Sequence, residues 1–178
     1  MNIVALPYTF EVEPLRTELH EHPEAWDQHR WRTGHPRSPH RECSDIWCRY
    51  NALENFGPNF NEEHEAVWYP IAESLPTARV IAETVSALRQ QPLAGVLITK
   101  IPAHGQVYPH VDHGWHAEQT DKIGVLVEGN PLQHFCFEDA AHGCHEGECF
   151  WFCNQSPHWV FNDTSEDRIT LIVCLRKH

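Results

Sequence analysis

Short segments with the spacing of β-strands dominate the second half of the chain. From Leu93 onward, candidate strands cover residues 95–101, 107–112, 122–128, 134–138, 148–154, 158–162 and 168–175. Turn-forming residues separate these segments, most clearly at Glu128-Gly129-Asn130 and His142-Gly143. Many short strands with few helices predict an antiparallel barrel or a two-sheet jelly roll.

The first 92 residues have a different texture. Residues 11–41 are polar, rich in Pro, His and Arg, and only weakly periodic, which favours a solvated arm. Residues 45–51 predict a short strand, and the helical spacing of apolar residues between 76 and 91 predicts a helix that braces a sheet. We therefore expect one domain over residues 1–178, with the arm and bracing helix in 1–92 and the core of strands in 93–178.

Composition excludes several classes of function. The net charge of −12 disfavours binding to nucleic acid. No apolar run reaches membrane-spanning length, and the N-terminal residues MNIVALPYTF lack the basic and apolar regions of a secretory signal. The seven cysteines cannot all pair among themselves, so we expect a reducing, cytoplasmic location.

The segment His110-Val111-Asp112 is the first candidate for chemistry. Residues two apart on a strand share a face and lie about 6.6 Å apart, so both side chains can reach one ion. An imidazole and a carboxylate suit a divalent first-row metal such as Fe(II). Similar His-x-Glu pairs at 22/24 and 40/42 are interpreted as surface residues of the arm, and the pair at 116/118 as part of a loop.

A second histidine far along the chain strengthens this metal hypothesis. His158 begins a predicted strand, and Arg168 follows ten residues later. In the last strand, alternation places Arg168, Thr170, Ile172 and Cys174 on one face. A guanidinium on an otherwise apolar face is costly to bury unless an anion meets it, and its planar fork suits a carboxylate.

These residues resemble the Fe(II)- and 2-oxoglutarate-dependent oxygenases, and among them the aspartyl/asparaginyl β-hydroxylase family. The resemblance is best over residues 97–175, and the segment SDIWCRYN at 44–51 fits the family's earlier strand more loosely. The motifs that carry it are His110-x-Asp112, Gly147-Glu148 before FWF, His158-x-Val-x-Asn162 and Arg168-x-Thr170. The implied fold is mainly β, a distorted double-stranded β-helix of the jelly-roll or cupin-like kind, braced by one or two helices.

The resemblance also implies a division of roles. His110, Asp112 and His158 would hold Fe(II), while Arg168 and Thr170 would bind the far carboxylate of 2-oxoglutarate. With O2, such a dioxygenase hydroxylates an amino acid or an amino-acid side chain and forms succinate and CO2. A complete triad leaves no ligand position for halide, which favours hydroxylation over halogenation.

The chain departs from the family pattern after the first motif. Members tend to carry Arg-x-His on the next strand, where this chain has Lys122 and Gly124. Lys122 supplies a charge without the planar guanidinium of arginine, and Gly124 supplies no side chain. The sequence therefore does not identify the residues of the inner part of the 2-oxoglutarate pocket. Thr99, on the preceding strand, is a candidate hydroxyl donor or an ordinary strand residue.

Candidates for substrate contact are less specific. Trp115 is either a wall of the substrate site or a rim aromatic, and Asn162 either orients a ligand or ends its strand. The arm and the strand after it carry basic residues that favour an anionic small-molecule or peptide substrate. Among them Arg49, which lies on a strand, is the first candidate to point inward. These basic residues are Arg30, Arg32, Arg37, Arg41 and Arg49.

Alternative readings of the sequence remain. His104, His113 and His116 are substitute metal ligands if the strand register differs. The segment from Cys136 to Cys153 holds four cysteines and two histidines, of which Cys144, His145 and Cys149 could meet in a structural zinc site. The alternative to an enzyme is a non-catalytic, cupin-like module that binds a metal or ligand.

Overall fold

The computed structural model of the protein describes residues 1–57 and 62–177, which form two antiparallel β-sheets. The larger sheet comprises β1 (Ile3–Thr9), β2 (Ser44–Asn51), β3 (Ala66–Trp68), β4 (Leu93–Ile101), β6 (Thr120–Glu128), β9 (Glu148–Phe152) and β11 (Arg168–Arg176). The smaller sheet comprises β5 (Gln106–His110), β7 (His134–Phe137), β8 (Ala141–His142) and β10 (His158–Phe161). The strand orders are β1-β9-β6-β11-β4-β2-β3 and β5-β10-β7-β8.

Two helices brace the outer face of the larger sheet. They are α1 (Glu13–Glu21) and α2 (Pro76–Arg89), and a third, α3 (Trp115–Gln119), precedes β6. The second helix starts at a proline, which the first turn tolerates, and ends at Gln90 in the left-handed conformation with φ 55°. Three 3-10 turns occupy Pro23–Ala25, Leu53–Asn55 and Pro70–Glu73.

Alternation along β11 divides the interior into two cores. Ile169, Leu171, Val173 and Leu175 pack with apolar residues of α1 and α2 on the outer face. The other face, with Arg168, Thr170, Ile172 and Cys174, borders a cavity between the two sheets. The two-sheet architecture, the helix at 76–91 and the faces of the last strand are thus confirmed.

The first metal motif ends its strand earlier than predicted. β5 stops at His110, and Asp112 lies in the following loop, where its backbone N–H donates to the carbonyl of Asn154 at 3.0 Å. The prediction that residues 107–112 form one strand is therefore wrong at its end. Asp112 still approaches His110 because this loop turns back toward the start of β10.

The solvated-arm prediction is wrong for much of residues 11–41. Leu15 and Leu19 of α1 are 0% and 5% exposed in the outer core. Further along, the backbone N–H of Tyr108 donates to the carbonyl of Pro39 at 2.9 Å, so the arm runs beside the edge strand β5. The sequence pattern also gave no strand at Ile3–Thr9, which pairs with β9.

Candidate metal centre

His110, Asp112 and His158 converge at one end of the smaller sheet. His110 and His158 are directly paired across β5 and β10. One ligand atom from each of the three side chains lies within 4.8 Å of the other two. Residues 48 positions apart thus form a compact set, because the antiparallel pairing aligns the end of β5 with the start of β10.

Backbone carbonyls fix the orientation of both imidazoles. Nδ1 of His110 lies 2.8 Å from the carbonyl oxygen of Tyr108, and Nδ1 of His158 lies 2.9 Å from that of Ser156. A carbonyl can only accept, so Nδ1 carries the proton in each ring. The lone pair of each Nε2 is left for a metal, as in most histidine-ligated sites.

The carboxylate of Asp112 forms an ion pair with Lys122 through the oxygen that does not face His110. The Nζ of Lys122 donates to Oδ2 of Asp112 at 2.6 Å, while Oδ1 lies 3.3 Å from Nε2 of His110. Burial by itself raises the pKa of Asp112, but the Lys122 ammonium and the neighbouring histidines hold that pKa well below its usual range. One carboxylate oxygen therefore faces the two imidazoles in ionised form.

The protonation states favour metal binding. Burial lowers the pKa of His158 to about 4, so its imidazole is neutral at neutral pH. Two imidazoles and one carboxylate are the ligand set that suits non-haem Fe(II). Within residues 1–57 and 62–177, this is the one group of three or more metal-ligating side chains close enough to share an ion.

The substitute ligands lie elsewhere. His104 occupies the turn before β5 with φ 59°, and its backbone N–H donates to the carbonyl of Thr164. His113 and His116 border the cavity without joining the triad. His116 lies in α3, where the sequence indicated a loop.

A cavity of about 340 Å³ adjoins the triad and reaches Arg168. This volume is in the range of small-molecule sites. Of the side chains expected to contact 2-oxoglutarate, the cavity is bordered by Arg168, Thr170, Thr99 and Lys122.

Arg168 is the most unusual group in the cavity wall. Its side chain is 1% exposed and donates to the carbonyl of Gln133 at 2.9 Å. Among the described residues no carboxylate pairs with it; its other polar contact is Cys144, with Nη2 4.0 Å from Sγ. Burial lowers the pKa of Arg168. A buried guanidinium with unused donors fits the distal carboxylate of 2-oxoglutarate.

Thr99 is already engaged by protein groups. Its hydroxyl donates to Oδ1 of Asp45 at 3.0 Å and accepts a hydrogen bond from Arg32. Since the single hydroxyl proton goes to Asp45, Thr99 has none left to donate to a ligand. The expectation that Thr99 is a hydroxyl donor to 2-oxoglutarate is therefore not supported by its placement.

The arm contributes two cavity residues that the sequence did not single out as site residues. His40 is 7% exposed and lies with its ring centroid 4.6 Å from that of His110, so its interpretation as a surface residue is wrong. Arg32 forms two hydrogen bonds to Asp45, Nε to Oδ2 at 2.7 Å and Nη2 to Oδ1 at 3.0 Å. Nothing in the local sequence separates these residues from their exposed neighbours.

Arg49 does not direct its charge into the cavity. A bulge in β2 between Trp47 and Arg49 breaks the alternation that would have kept these residues on one face. The guanidinium instead lies over the Trp68 ring, 5.4 Å from its centroid, and Glu65, Arg79 and Glu83 are the charges that act on its pKa, after burial. Arg49 thus borders the cavity, as the sequence suggested, but its guanidinium lies over Trp68.

The remaining basic residues do not form a lip on the cavity either. Arg30 and Arg37 are exposed and do not border it, and Arg41 lies 3.3 Å above the Tyr108 ring. Arg32 is neutralised by Asp45. Of these arginines, Arg32 and Arg49 border the cavity, and the guanidinium of each is directed at a protein group, Asp45 or the Trp68 ring.

Trp115 and Asn162 lie outside the cavity lining. Trp115 starts α3 and contacts His64 and Arg176. The Asn162 amide donates to the carbonyls of Pro102 and Glu166, and its oxygen accepts from Thr164. Asn162 thus stabilises the turn after β10, and its placement gives no support to a role in substrate binding.

The cysteine-rich segment does not assemble a zinc site. Cys144 belongs to the core between the sheets, whereas Cys149 belongs to the outer core and donates to the carbonyl of Tyr8. His145 is exposed. These three side chains face different regions because β9 separates the two cores.

Close packing against Phe150 explains why position 124 is a glycine. A Cβ at this position would lie 2.5 Å from Cζ of Phe150, whose ring is 0% exposed. The Phe150 ring thus occupies the space in which the histidine typical of the family would project. Phe150 belongs to the apolar core between the sheets.

Comparison with known proteins defines the class. A collagen prolyl hydroxylase from Paramecium bursaria Chlorella virus-1, solved with 2-oxoglutarate, matches with a TM-score of 0.57 at 9% identity, over 100% of this chain and 97% of that one. A 2OG-Fe(II) oxygenase-family oxidoreductase from Burkholderia pseudomallei matches with a TM-score of 0.58 at 12% identity, over 99% of this chain and 85% of that one. The fold is that of the Fe(II)/2-oxoglutarate oxygenases, and a His-x-Asp…His set lies within it.

The chain belongs to the aspartyl/asparaginyl β-hydroxylase family, whose sequence profile matches residues 11–178. It is a 2-oxoglutarate-dependent oxygenase of the hydroxylase type, with Fe(II) as cofactor and 2-oxoglutarate as co-substrate. The predicted family, enzyme class and cofactors are thus confirmed. No curated protein matches the chain by sequence. None of the described helices has the length and apolar character needed to cross a membrane.

Proposed function

We propose that the protein hydroxylates an amino acid, or an amino-acid side chain in a small peptide. In this reaction 2-oxoglutarate and O2 are converted to succinate and CO2, with one oxygen atom entering succinate and the other entering the product hydroxyl group. The observation that carries the proposal is the convergence of His110, Asp112 and His158 beside the buried, carboxylate-free Arg168.

The metal would be held by Nε2 of His110, Nε2 of His158 and Oδ1 of Asp112. Iron together with 2-oxoglutarate supplies the oxidising power needed to attack an unactivated C–H bond. Lys122 holds the second oxygen of Asp112, so it fixes the carboxylate in place and keeps it ionised.

Arg168 would bind the distal carboxylate of 2-oxoglutarate, with the Thr170 hydroxyl beside it on the same face of β11. Ile101, Val107, Phe135, Phe152 and Val160 add apolar surface to the cavity wall, which would help to keep water from the reacting groups. All seven cysteines are unpaired, which supports the cytoplasmic location that we propose.

The test is anaerobic addition of Fe(II) and 2-oxoglutarate, followed by admission of O2 and measurement of succinate. We expect the visible charge-transfer band of the iron chelate in the wild type and its loss in His110→Ala. His145→Ala, at an exposed histidine, is the matched control and should keep the band. A folded wild-type protein that shows the band but forms no succinate would favour the non-catalytic binding module.

Arg168→Ala separates co-substrate binding from metal binding. Removing a buried charge-assisted contact should raise the 2-oxoglutarate concentration required for half-maximal succinate formation about 10- to 100-fold. Exposed Arg37→Ala serves as control. Equal 2-oxoglutarate dependence in wild type and Arg168→Ala would refute the role given to this arginine.

A further inference from the structure

The register between β4 and β11 divides the cavity into two ends. Thr99 pairs with Thr170, Leu97 with Ile172, and Gly95 with Cys174, while Arg168 pairs with Ile101. These pairs follow one another along the strands, so side chains near Cys174 lie well away from those near Arg168. The Arg168 end carries polar side chains, whereas the opposite end is lined mostly by aromatic and aliphatic side chains.

The end remote from Arg168, here termed the apolar half, is lined by Trp47, Tyr50, Leu97, His116, Ile172 and Cys174. Trp47 pairs with Leu97 across β2 and β4. The ring centroids of Trp47 and Tyr50 lie 4.9 Å apart, and those of Tyr50 and His116 lie 4.8 Å apart. Aromatic and aliphatic surface thus forms most of this wall.

His116 belongs to the wall as an uncharged ring. Its Nε2 lies 3.1 Å from the position that a Cβ on Gly95 would occupy, so the imidazole packs closely over the glycine. Burial lowers the pKa of His116 to about 3, with smaller contributions from Lys122, His64 and Arg176. The ring therefore carries no charge at neutral pH.

The cations that border the cavity near this half have partners of their own. Lys122 pairs with Cys174 in the strand register but directs its ammonium to Asp112 at 2.6 Å. Arg32 is held by Asp45. Arg49 also borders the cavity, but its guanidinium lies over the ring of Trp68, which packs against the outer core.

From these observations we infer that the apolar half receives the group to be hydroxylated, and that this group is an uncharged, apolar side chain, aliphatic or aromatic. A carboxylate or an ammonium group entering this half would lose its hydration against a wall that is mostly aromatic and aliphatic. An apolar side chain instead replaces water against aromatic and aliphatic surface. This inference rests on the proposed hydroxylase function, and it replaces the anionic substrate expected from the sequence.

The experiment measures succinate formation above the substrate-free baseline with a panel of amino acids. Each is supplied free and as its N-acetyl amide, so that backbone charge is separated from side-chain chemistry. The panel compares leucine with asparagine and aspartate, which are close in shape, and adds proline, methionine, phenylalanine and lysine. We expect a leucine, proline, methionine or phenylalanine compound to stimulate at least about 10-fold more than asparagine, aspartate or lysine.

Two results would overturn the inference in a protein that shows the iron–2-oxoglutarate band. One is stronger stimulation by aspartate, asparagine or lysine than by every apolar compound. The other is a panel in which no apolar compound raises succinate formation. Absence of the band itself would instead refute the proposed function, so the two failures are distinguishable.

A variant in the wall provides a second measurement. Leu97→Ala enlarges the apolar half, and we expect it to shift the ratio of stimulation by phenylalanine over leucine upward by about 10-fold while the band is retained. Val80→Ala, at an exposed position of α2, is the matched control. An unchanged ratio in Leu97→Ala would contradict the assignment of this half to the substrate.

Discussion

His40 packs against His110, one of the three proposed metal ligands, without belonging to the triad. Its ring stands at 77° to that of His110, with the centroids 4.6 Å apart, while a backbone carbonyl fixes the opposite side of His110. The His110 imidazole is therefore restrained by a hydrogen bond at Nδ1 and by an aromatic neighbour. Such outer contacts orient metal ligands and tune their affinity.

We predict that His40→Ala weakens Fe(II) binding about 10-fold, because the His110 ring gains freedom to rotate away from the metal. His40→Phe should retain most of the affinity, since it keeps an aromatic ring in the same place. The measurement is Fe(II) titration followed by the visible band at saturating 2-oxoglutarate. Equal affinities in wild type and His40→Ala would show that the contact is unimportant.

The buried histidines His158 and His116 lead to a prediction about pH. Their pKa values are lowered by burial to about 4 for His158 and about 3 for His116, so the unfolded chain binds protons more readily than the folded one below pH about 6.5. Stability from both groups is complete above that pH and is lost as the pH falls toward the folded pKa values.

For the metal-free protein we therefore expect the melting temperature to fall by several degrees between pH 6.5 and 4. His116→Gln should show a smaller decrease over the same interval, because the buried titratable group is gone. The check is a thermal melt at a series of pH values in a chelating buffer. Identical pH dependence in the variant and the wild type would contradict the burial argument.

At the scale of elements, the contact between β6 and β9 is closer than ordinary side chains permit. Gly124 pairs with Phe150, and the ring of Phe150 lies over the glycine. The ring also contacts Phe135 and Phe152, so it has little room to move. A glycine at position 124 is what allows three phenylalanines to fill the core between the sheets.

We predict that Gly124→Ala lowers the free energy of unfolding by about 1–3 kcal/mol through overpacking. The double variant Gly124→Ala/Phe150→Leu should recover part of that loss, because the shorter side chain leaves space for the new methyl group. Gly57→Ala, where a Cβ meets nothing within 4 Å, is the control. Denaturant unfolding measures all three, and a neutral Gly124→Ala would contradict the packing argument.

At the scale of the whole molecule, residues 27–43 tie the two sheets together. Asp27 donates its backbone N–H to the carbonyl of Asp45 on β2, and Pro39 accepts from Tyr108 on β5. Between these points, Arg32 reaches into the cavity and pairs with Asp45, whose side chain is 0% exposed. The arm thus closes the opening between the larger and the smaller sheet beside the metal centre.

Removal of the Arg32–Asp45 ion pair should destabilise the contact between the arm and the larger sheet. We predict that Arg32→Ala costs about 3 kcal/mol of unfolding free energy, because Asp45 is left charged and buried without its partner. Arg32→Ala/Asp45→Asn should cost less than the single variant, since no uncompensated charge remains. Arg37→Ala, on the same arm but exposed, should change stability by less than about 0.5 kcal/mol. A cost below about 1 kcal/mol for Arg32→Ala would refute the anchoring role.

The amino-acid sequence by itself determined the features that depend on local periodicity. The two-residue repeat of β11 separates the Arg168–Cys174 face from the outer core, and the helical repeat defines α2. The His110-x-Asp112 motif, His158 and Arg168 were identifiable because their residue types and spacing carry the family pattern. The strand pattern and this resemblance together predicted the jelly roll and the metal site.

Tertiary structure alone decided which other side chains reach the cavity. His40 and Arg32 lie in a polar stretch without periodicity, and they are buried because the arm pairs with β5 and β2 far along the chain. Arg49 faces α2 because a bulge interrupts its strand, and a bulge leaves no sign in a two-residue repeat. Periodicity and motif spacing can be recognised in the sequence itself, whereas burial of a polar side chain depends on partners distant in sequence. For that reason the proposed metal ligands could be selected from the sequence, while the burial of His40 and Arg32 beside the cavity could not.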